Sequence, residues 1–282
     1  MIRILITGSS GYIGSCLYKF LLKKKYIVYG IDKVKKNKVK NFFKVNLNNS
    51  NKLNNIIKKI NPKIVIHMAA QSTLDQIKKK KKYIINNYLA TENLLKSMNR
   101  CRINKIIFSS TAAVYKNNNL NLKENSIVKP NNIYGSTKLK CEKIIRKNKN
   151  IKFIIFRFFN VCSSIPELKV GENHKPETHL IPSTIQKILK KKRGGRGGII
   201  KIYGKNYKTN DGTCIRDYVH IKDLCVAYEK TIKLFIKYKI KNQIINIGTG
   251  IGYTNLEIIN KIKSLITYSK KNNIVNFVKR RK

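Results

Sequence analysis

"ITGSSGYIG", residues 6–14, sets Gly8, Gly11 and Gly14 in a GxxGxxG spacing. It directly follows the β-branched run "RILITG" (3–8) and heads a helix-length segment, 12–24. A strand that enters a glycine turn and leaves as a helix is the first half of a βαβ unit. The three glycines permit a tight turn, close approach of the backbone to a pyrophosphate, and close packing of helix on strand. The pyrophosphate then faces first-turn N–H groups that have no partner inside the helix. Working outward, the next run "YIVYGID" (26–32) ends on Asp32, 18 residues beyond Gly14. A carboxylate there accepts from both hydroxyls of an adenosine ribose and repels a 2′-phosphate, which favours NAD over NADP. Lys33 and Lys35 leave NADP open.

The rhythm continues with strand candidates "KIVIHMA" (63–69), "KIIFSS" (105–110) and "KFIIFRFF" (152–159), and helices near 51–60, 82–100 and 131–148. Strands alternating with helices predict an α/β fold, a Rossmann-type doubly wound parallel sheet that forms an NAD-binding domain over 1–160. Beyond residue 160 the pattern loosens. A loop-like stretch (163–182) precedes a helix at 181–192, a flexible "KKRGGRGG" (191–198), strands near 199–203 and 214–220, a helix near 222–238, the strand "QIINIG" (243–248) and a helix near 254–268. Residues 161–282 are expected to be a smaller α/β substrate-binding part.

The composition bounds the partners. Sixty-one basic residues against 13 acidic ones give +48 in 282 residues. The lysines run along nearly the whole chain beside Asn and Ile, which reads as the imprint of an AT-rich coding sequence. A nucleic-acid footprint would cluster on one face, so no specific nucleic acid is expected. The charge still attracts polyanions and favours anionic small substrates. Six cysteines without CxxC spacing and four scattered histidines predict neither a metal site nor a disulfide framework. Reduced thiols, no apolar run of membrane-spanning length and no cleavage-like N-terminal segment predict a soluble, cytoplasmic protein without a membrane partner.

"NNIYGSTKLKCEK" (131–143) places Tyr134 four residues before Lys138. With 15 tyrosines and 51 lysines, chance alone yields about three such pairs. Three occur: Tyr29/Lys33, Tyr134/Lys138 and Tyr218/Lys222. The surroundings decide between them. Tyr29 ends a strand, and Tyr218 spans a strand-to-helix junction. Tyr134 and Lys138 share one face of a helix that follows the strand carrying Ser109, Ser110 and Thr111. Ligands of doubly wound sheets bind beyond the carboxyl ends of the strands. A neighbouring ammonium is expected to lower the phenol's pKa, making it a base near neutral pH.

With these residues in view, the chain resembles the extended short-chain dehydrogenase/reductase family and, within it, the UDP-glucose 4-epimerases. "ILITGSSGYIGS", "IVIHMAAQ", "IIFSSTAAVY", "NNIYGSTKLKCE", "FRFFNV", "GENHKPETHLIP", "YGKNYKTNDGTCIRDYVHIKDLCVAY" and "INIGTG" carry the likeness. The resemblance implies NAD as hydride acceptor and donor at C4 of a UDP-hexose, interconverting UDP-glucose and UDP-galactose through a 4-keto sugar. Tyr134 would take the O4 proton, Lys138 would support it, and Thr111 would stand where the family usually has a serine. The implied cofactor contacts are Gly8, Gly11, Tyr12, Ile13, Gly14, Asp32, Asn46, Leu47, Ala69, Ala70, Asn86 and Lys138. Asn46 replaces an aspartate that faces adenine, and its carbonyl can accept from the amino group. The implied substrate contacts are Thr111, Tyr134, Asn160, His179, Tyr203, Arg216, Tyr218 and Arg281. A homodimer through helices 82–100 and 131–148 is implied as well.

Other readings stay open. Arg216 beside Asp217 is also read as a structural ion pair, His67 as a packed core histidine, and His179 as a helix cap. Lys116 stands where the family has glycine. The chain ends at "NFVKRRK", where family members continue for several dozen residues, so the sugar-facing wall is expected to be shortened. A sister enzyme such as a UDP-glucuronate 4-epimerase, and a non-catalytic NAD-binding or basic RNA-binding relic, are the alternatives. A 4,6-dehydratase would want an acid pair where Ala112 and Ala113 stand.

Overall fold

The computed structural model describes residues 2–34, 40–72, 80–116, 121–174, 176–192, 198–238, 241–266 and 275–280. Elements run in chain order β1 (Arg3–Thr7), α1 (Tyr12–Lys23), β2 (Ile27–Asp32), β3 (Phe42–Lys44), α2 (Ser50–Ile60), β4 (Ile64–His67), α3 (Lys80–Tyr83), a π-helical turn (Ile84–Leu89), α4 (Ala90–Arg100), β5 (Lys105–Thr111), α5 (Ile133–Lys147) and β6 (Lys152–Phe158). There follow β7 (Asn160–Cys162), β8 (Ser164–Ile165), β9 (Val170–Gly171), α6 (Leu180–Lys192), β10 (Ile200–Tyr203), β11 (Ile215–His220), α7 (Ile221–Lys237), β12 (Gln243–Ile247), β13 (Gly252–Thr254), α8 (Asn255–Leu265) and β14 (Val275–Val278).

Two compact units emerge: Met1–Gly171 with His220–Ile247, and Glu172–Val219 with Gly248–Lys282. The first unit is built on a seven-stranded sheet in the order β12-β6-β5-β4-β1-β2-β3. Every neighbouring pair in it is parallel. Both faces are covered, which explains why its strands read as continuous apolar runs. Side chains alternate between the faces. Leu5, Val65, Ile106 and Ile155 join one buried cluster with α2, α4 and α5; Ile4, Ile6, Ile64, Ile66, Ile107, Ile154 and Phe156 join the other with α1 and α7. The helix and strand at 221–247, which spacing grouped with the C-terminal part, belong to this unit. Ile244 packs on one face and Ile245 on the other, closing the sheet beside β6.

One helix departs from its expected form. Residues 82–100 do not run as a single α-helix but pass through the π turn. The Ala90 N–H reaches the Ile85 carbonyl, and the Asn87 carbonyl accepts the Thr91 hydroxyl at 2.6 Å and the Cys141 thiol at 3.5 Å. The wider turn frees that carbonyl for side-chain donors.

In the second unit, β10 pairs in parallel with β14 and β11 pairs antiparallel with β13. The strand β14 lies in a stretch, 275–278, where the sequence pattern predicts no element. Ile200, Ile202 and Ile259 form its buried apolar cluster, flanked by Leu180, Leu256 and Val275. Thr254 caps α8 in a reciprocal box with Glu257.

Candidate active site

The strand order reverses between β1 and β4, and there the loops beyond the two strands meet. Gly8 has φ +74°, and a Cβ on it would lie 2.6 Å from the Ala69 nitrogen. A Cβ on Gly14 would lie 2.1 Å from the Gly8 carbonyl oxygen. Both positions therefore demand glycine, one for its left-handed backbone and close contact, the other for contact alone. Gly11 caps α1 without a side-chain acceptor, and the first turn (Tyr12, Ile13) contains no acid. Its N–H groups and the positive end of the helix dipole suit a pyrophosphate. Asp32, at the end of β2, is tied to the same turn: Ser10 N–H donates to its Oδ2 at 3.0 Å and Val34 N–H to its Oδ1 at 3.3 Å. Gly8, Gly11, Gly14, Asp32 and Ala69 thus gather at the reversal point, as a dinucleotide requires. Ala70 follows Ala69 beyond β4, and Leu47 is buried beyond β3. The Asn46 carbonyl already accepts from Asn48 N–H at 3.1 Å, so one of its two lone pairs remains for an adenine amino group.

The second grouping lies at the carboxyl end of β5. Asn132 caps α5 by accepting from Gly135 N–H at 2.8 Å, which sets Tyr134 in the first helical turn. Tyr29 lies within β2, and Tyr218 in β11 is separated from Lys222 in α7. Of the three spaced pairs, only Tyr134 and Lys138 share a helix. Thr111 ends β5 and hydrogen-bonds Tyr134. The neighbouring hydroxyls are engaged elsewhere: Ser109 shares a 2.7 Å hydrogen bond with Tyr228, and Ser110 donates to Glu142.

Electrostatics differ from expectation. Burial pushes the Tyr134 phenol up to about 12, with the Thr111 hydrogen bond opposing. Burial also pulls the Lys138 ammonium down to about 8, with Cys141 and Glu142 opposing; its Nζ sits 4.1 Å from the Phe108 ring centroid. In the protein alone, desolvation of the phenolate outweighs the charge effect inferred from spacing.

Sequence reasoning missed the residues that hold this pair. Asn87 is buried beside the half-buried Asn86. Its amide takes the Gln71 N–H at 2.6 Å and donates to Thr137 at 3.0 Å, between Tyr134 and Lys138. Glu142, one helical turn beyond Lys138, is clamped by Arg157 Nη2 at 2.6 Å and Nε at 3.0 Å. The i+4 spacing of Lys138 and Glu142 was readable; the partner on β6 was not.

Asn160 lies on β7 in the first unit. In the second, Tyr203 ends β10 and Tyr218 lies on β11. Arg216 is exposed, its Nη1 donating to the Ile215 carbonyl at 2.8 Å. Asp217 accepts from Thr249 N–H and hydroxyl and from Gly250 N–H at 2.9–3.0 Å. His179 stands just before α6, and its carbonyl accepts from Ser183 N–H. Arg281 and Lys35 lie outside the described residues, as does most of "KKRGGRGG". The expectation of scattered histidines needs correction. The structure brings Glu172, His174, Glu177 and His179 together, with ligand atoms within 4.8 Å of one another. Their sequence spacing contains no Cys/His pattern that would announce it.

Among known proteins, the model of the NAD dependent epimerase/dehydratase family matches residues 4–248. A UDP-glucose 4-epimerase of Lactobacillus helveticus is 35% identical over 275 residues, covering 93% of this chain and 81% of that protein. The crystal structure of UDP-glucose 4-epimerase from Brucella ovis in complex with NAD superposes with a TM-score of 0.89 at 29% identity, over 100% of this chain and 87% of that one. The Bifidobacterium longum enzyme in complex with NAD+ and UDP gives 0.87 at 26% identity, over 99% and 87%. With its glycine turn at the reversal of a parallel sheet, and matched over most of its length, the chain belongs to the NAD-dependent epimerase/dehydratase family.

Proposed function

We propose that this chain interconverts UDP-glucose and UDP-galactose by epimerisation at C4 of the hexose, with NAD as cofactor. The observation that carries the reading is Tyr134, Lys138 and Thr111 grouped at the end of β5, in the same unit as the glycine turn of β1. The 35% likeness to a UDP-glucose 4-epimerase supports it. Gly8, Gly11 and Gly14 with the first turn of α1 would hold the pyrophosphate, and Asp32 the adenosine ribose. Bound NAD supplies a reversible hydride acceptor at its nicotinamide.

Tyr134 takes the O4 proton as hydrogen leaves C4 and returns it when the opposite face is reduced. Thr111 donates or accepts between the phenol and O4. Because burial raises the Tyr134 pKa, the phenolate needs positive charge beside it. Lys138 is still mostly protonated at pH 7 and meets that need. Arg216 would neutralise diphosphate with a planar fork of donors, and Asn160, His179, Tyr203 and Tyr218 would contact the nucleotide sugar.

A homodimer through the helices at 82–100 and 131–148 belongs to the same reading; Ile84 and Leu89 are exposed apolar residues on the first of these. Six cysteines free of disulfides support a reducing, cytoplasmic setting. Among the described residues no helix is long and apolar enough to cross a membrane.

The test supplies NAD and UDP-galactose to the purified chain and follows UDP-glucose. Conversion by the parent, reduced at least about 100-fold in Tyr134→Phe, is expected for a lost general base. A parent chain that binds NAD but converts nothing would overturn the reading.

A further inference from the structure

We propose that Glu172, His174, Glu177 and His179 form a binding site for a divalent transition-metal ion of the zinc class, in the segment that leads into α6. Both imidazoles turn Nδ1 toward the same two carboxylates. His179 Nδ1 lies 2.9 Å from Glu172 Oε1 and 2.9 Å from Glu177 Oε1. His174 Nδ1 lies 3.5 Å from Glu172 Oε1 and 3.6 Å from Glu177 Oε2. Donors about 2.0–2.2 Å from one tetrahedral ion stand roughly 3.3–3.5 Å from each other. The four His–Glu separations straddle that value, and the four ligand atoms all lie within 4.8 Å of one another, so seating an ion draws the more distant donors inward by about an ångström.

Without a metal, the arrangement is a set of His–Glu ion pairs converging on one point. A single Nδ1–H cannot point along two directions at once, yet His179 Nδ1 is equally close to two carboxylate oxygens. The carboxylates are also deeply placed, with side chains only 7% and 4% exposed for Glu172 and Glu177. Buried charges are paired or coordinate metals, and a divalent ion balances two carboxylates while both imidazoles stay neutral. Acids are scarce in this chain, 13 among 282 residues. Two of them, five positions apart, face one pair of histidines.

The backbone supports the geometry: His179 N–H donates to Glu177 Oε1 at 2.9 Å and His174 N–H to Glu177 Oε2 at 3.3 Å. Such outer contacts orient ligands. Two imidazoles with two carboxylates and no thiolate select zinc, cobalt or manganese over calcium and magnesium, which prefer all-oxygen sites. Ligation through Nδ1 also fixes the His179 tautomer, leaving Nε2–H as a donor. The site lies wholly within the second unit, and the proposal stands whether or not the epimerase reading holds.

The test uses the full chain without an affinity tag, stripped by chelator and titrated with Co2+, then Zn2+. One equivalent of Co2+ with visible d–d absorption is expected, displaced by Zn2+ and retained in a hundredfold excess of Mg2+. Less than half an equivalent, or displacement by Mg2+, overturns the proposal. Glu172→Gln and Glu177→Gln should each weaken Co2+ binding at least tenfold; full affinity in either variant overturns the assignment. A footprint on the unsubstituted chain removes dependence on the variants' folding. Zn2+ should protect His174 and His179 from diethyl pyrocarbonate while the exposed His220 stays reactive, and equal labelling with and without Zn2+ overturns the proposal.

Discussion

The two units of this molecule are held by different means. In the first, seven parallel strands bury apolar side chains on both faces, and helices on each side complete two large clusters. In the second, the buried apolar cluster among the described residues is three isoleucines, and polar anchors carry much of the order. Asp217 gathers three donors from Thr249 and Gly250. Asp211 takes the Thr213 N–H and the hydroxyls of Thr213 and Thr254. Glu257 closes the cap of α8. Five of the chain's thirteen acids sit in this unit: Glu172, Glu177, Asp211, Asp217 and Glu257. Apolar burial scales with area and needs little angular precision. Carboxylate anchors work one site at a time, and each fails if its partner moves.

The comparison predicts unequal costs. Phe156, buried on β6 and edge-on to Tyr228 at 4.9 Å between ring centroids, should be the most expensive position. Phe156→Ala should destabilise by about 3–5 kcal/mol in urea titration, since the packed sheet cannot collapse into the cavity. Asp217→Ala should cost about 1–2 kcal/mol, because the abandoned N–H groups are partly reached by water. Equal losses from the two substitutions would break the comparison, and a larger loss at Asp217 would reverse it.

The effect that is smallest per step of the variable concerns a buried polar residue inside the first unit. His67 is fully buried on β4. Burial, with the nearby Lys138 charge adding, holds its pKa down to about 3, so the ring is neutral. The Thr91 hydroxyl donates to the Asn87 carbonyl, which assigns the ring proton to Nε2, 2.9 Å from Thr91, and leaves Nδ1 to accept from Thr7 at 2.7 Å. Between about pH 3 and 6.5 the unfolded chain binds the proton that the folded chain refuses, so stability rises with pH through that window and falls on acidification. The slope from this residue should approach about 1 kcal/mol per pH unit. His67→Gln should remove it, measured as the difference between urea midpoints of the two proteins from pH 4 to 6. An unchanged difference across that range would show that the ring charges in place.

Much of the first unit was legible because its rules are local. A glycine turn must follow a strand and open a helix, and apolar runs bounded by turns must be buried strands. The Tyr134/Lys138 pair was legible only in context, since two rival pairs had the same spacing. Helix 82–100 was misread because the π turn is paired with a contact from another element, the Cys141 thiol of α5 on the Asn87 carbonyl, and such a contact leaves no mark on local spacing.

By itself the amino-acid sequence determined the parallel α/β architecture, the glycine cradle and the position of Tyr134 and Lys138 on one helix face. These follow from strand and helix periods and from the absence of a Cβ. Tertiary structure alone decided that 221–247 completes the first sheet, that burial raises the Tyr134 pKa, that Arg157 clamps Glu142, and that two glutamates and two histidines converge before α6. Each of these depends on desolvation or on contact between elements, and neither has a period along the chain.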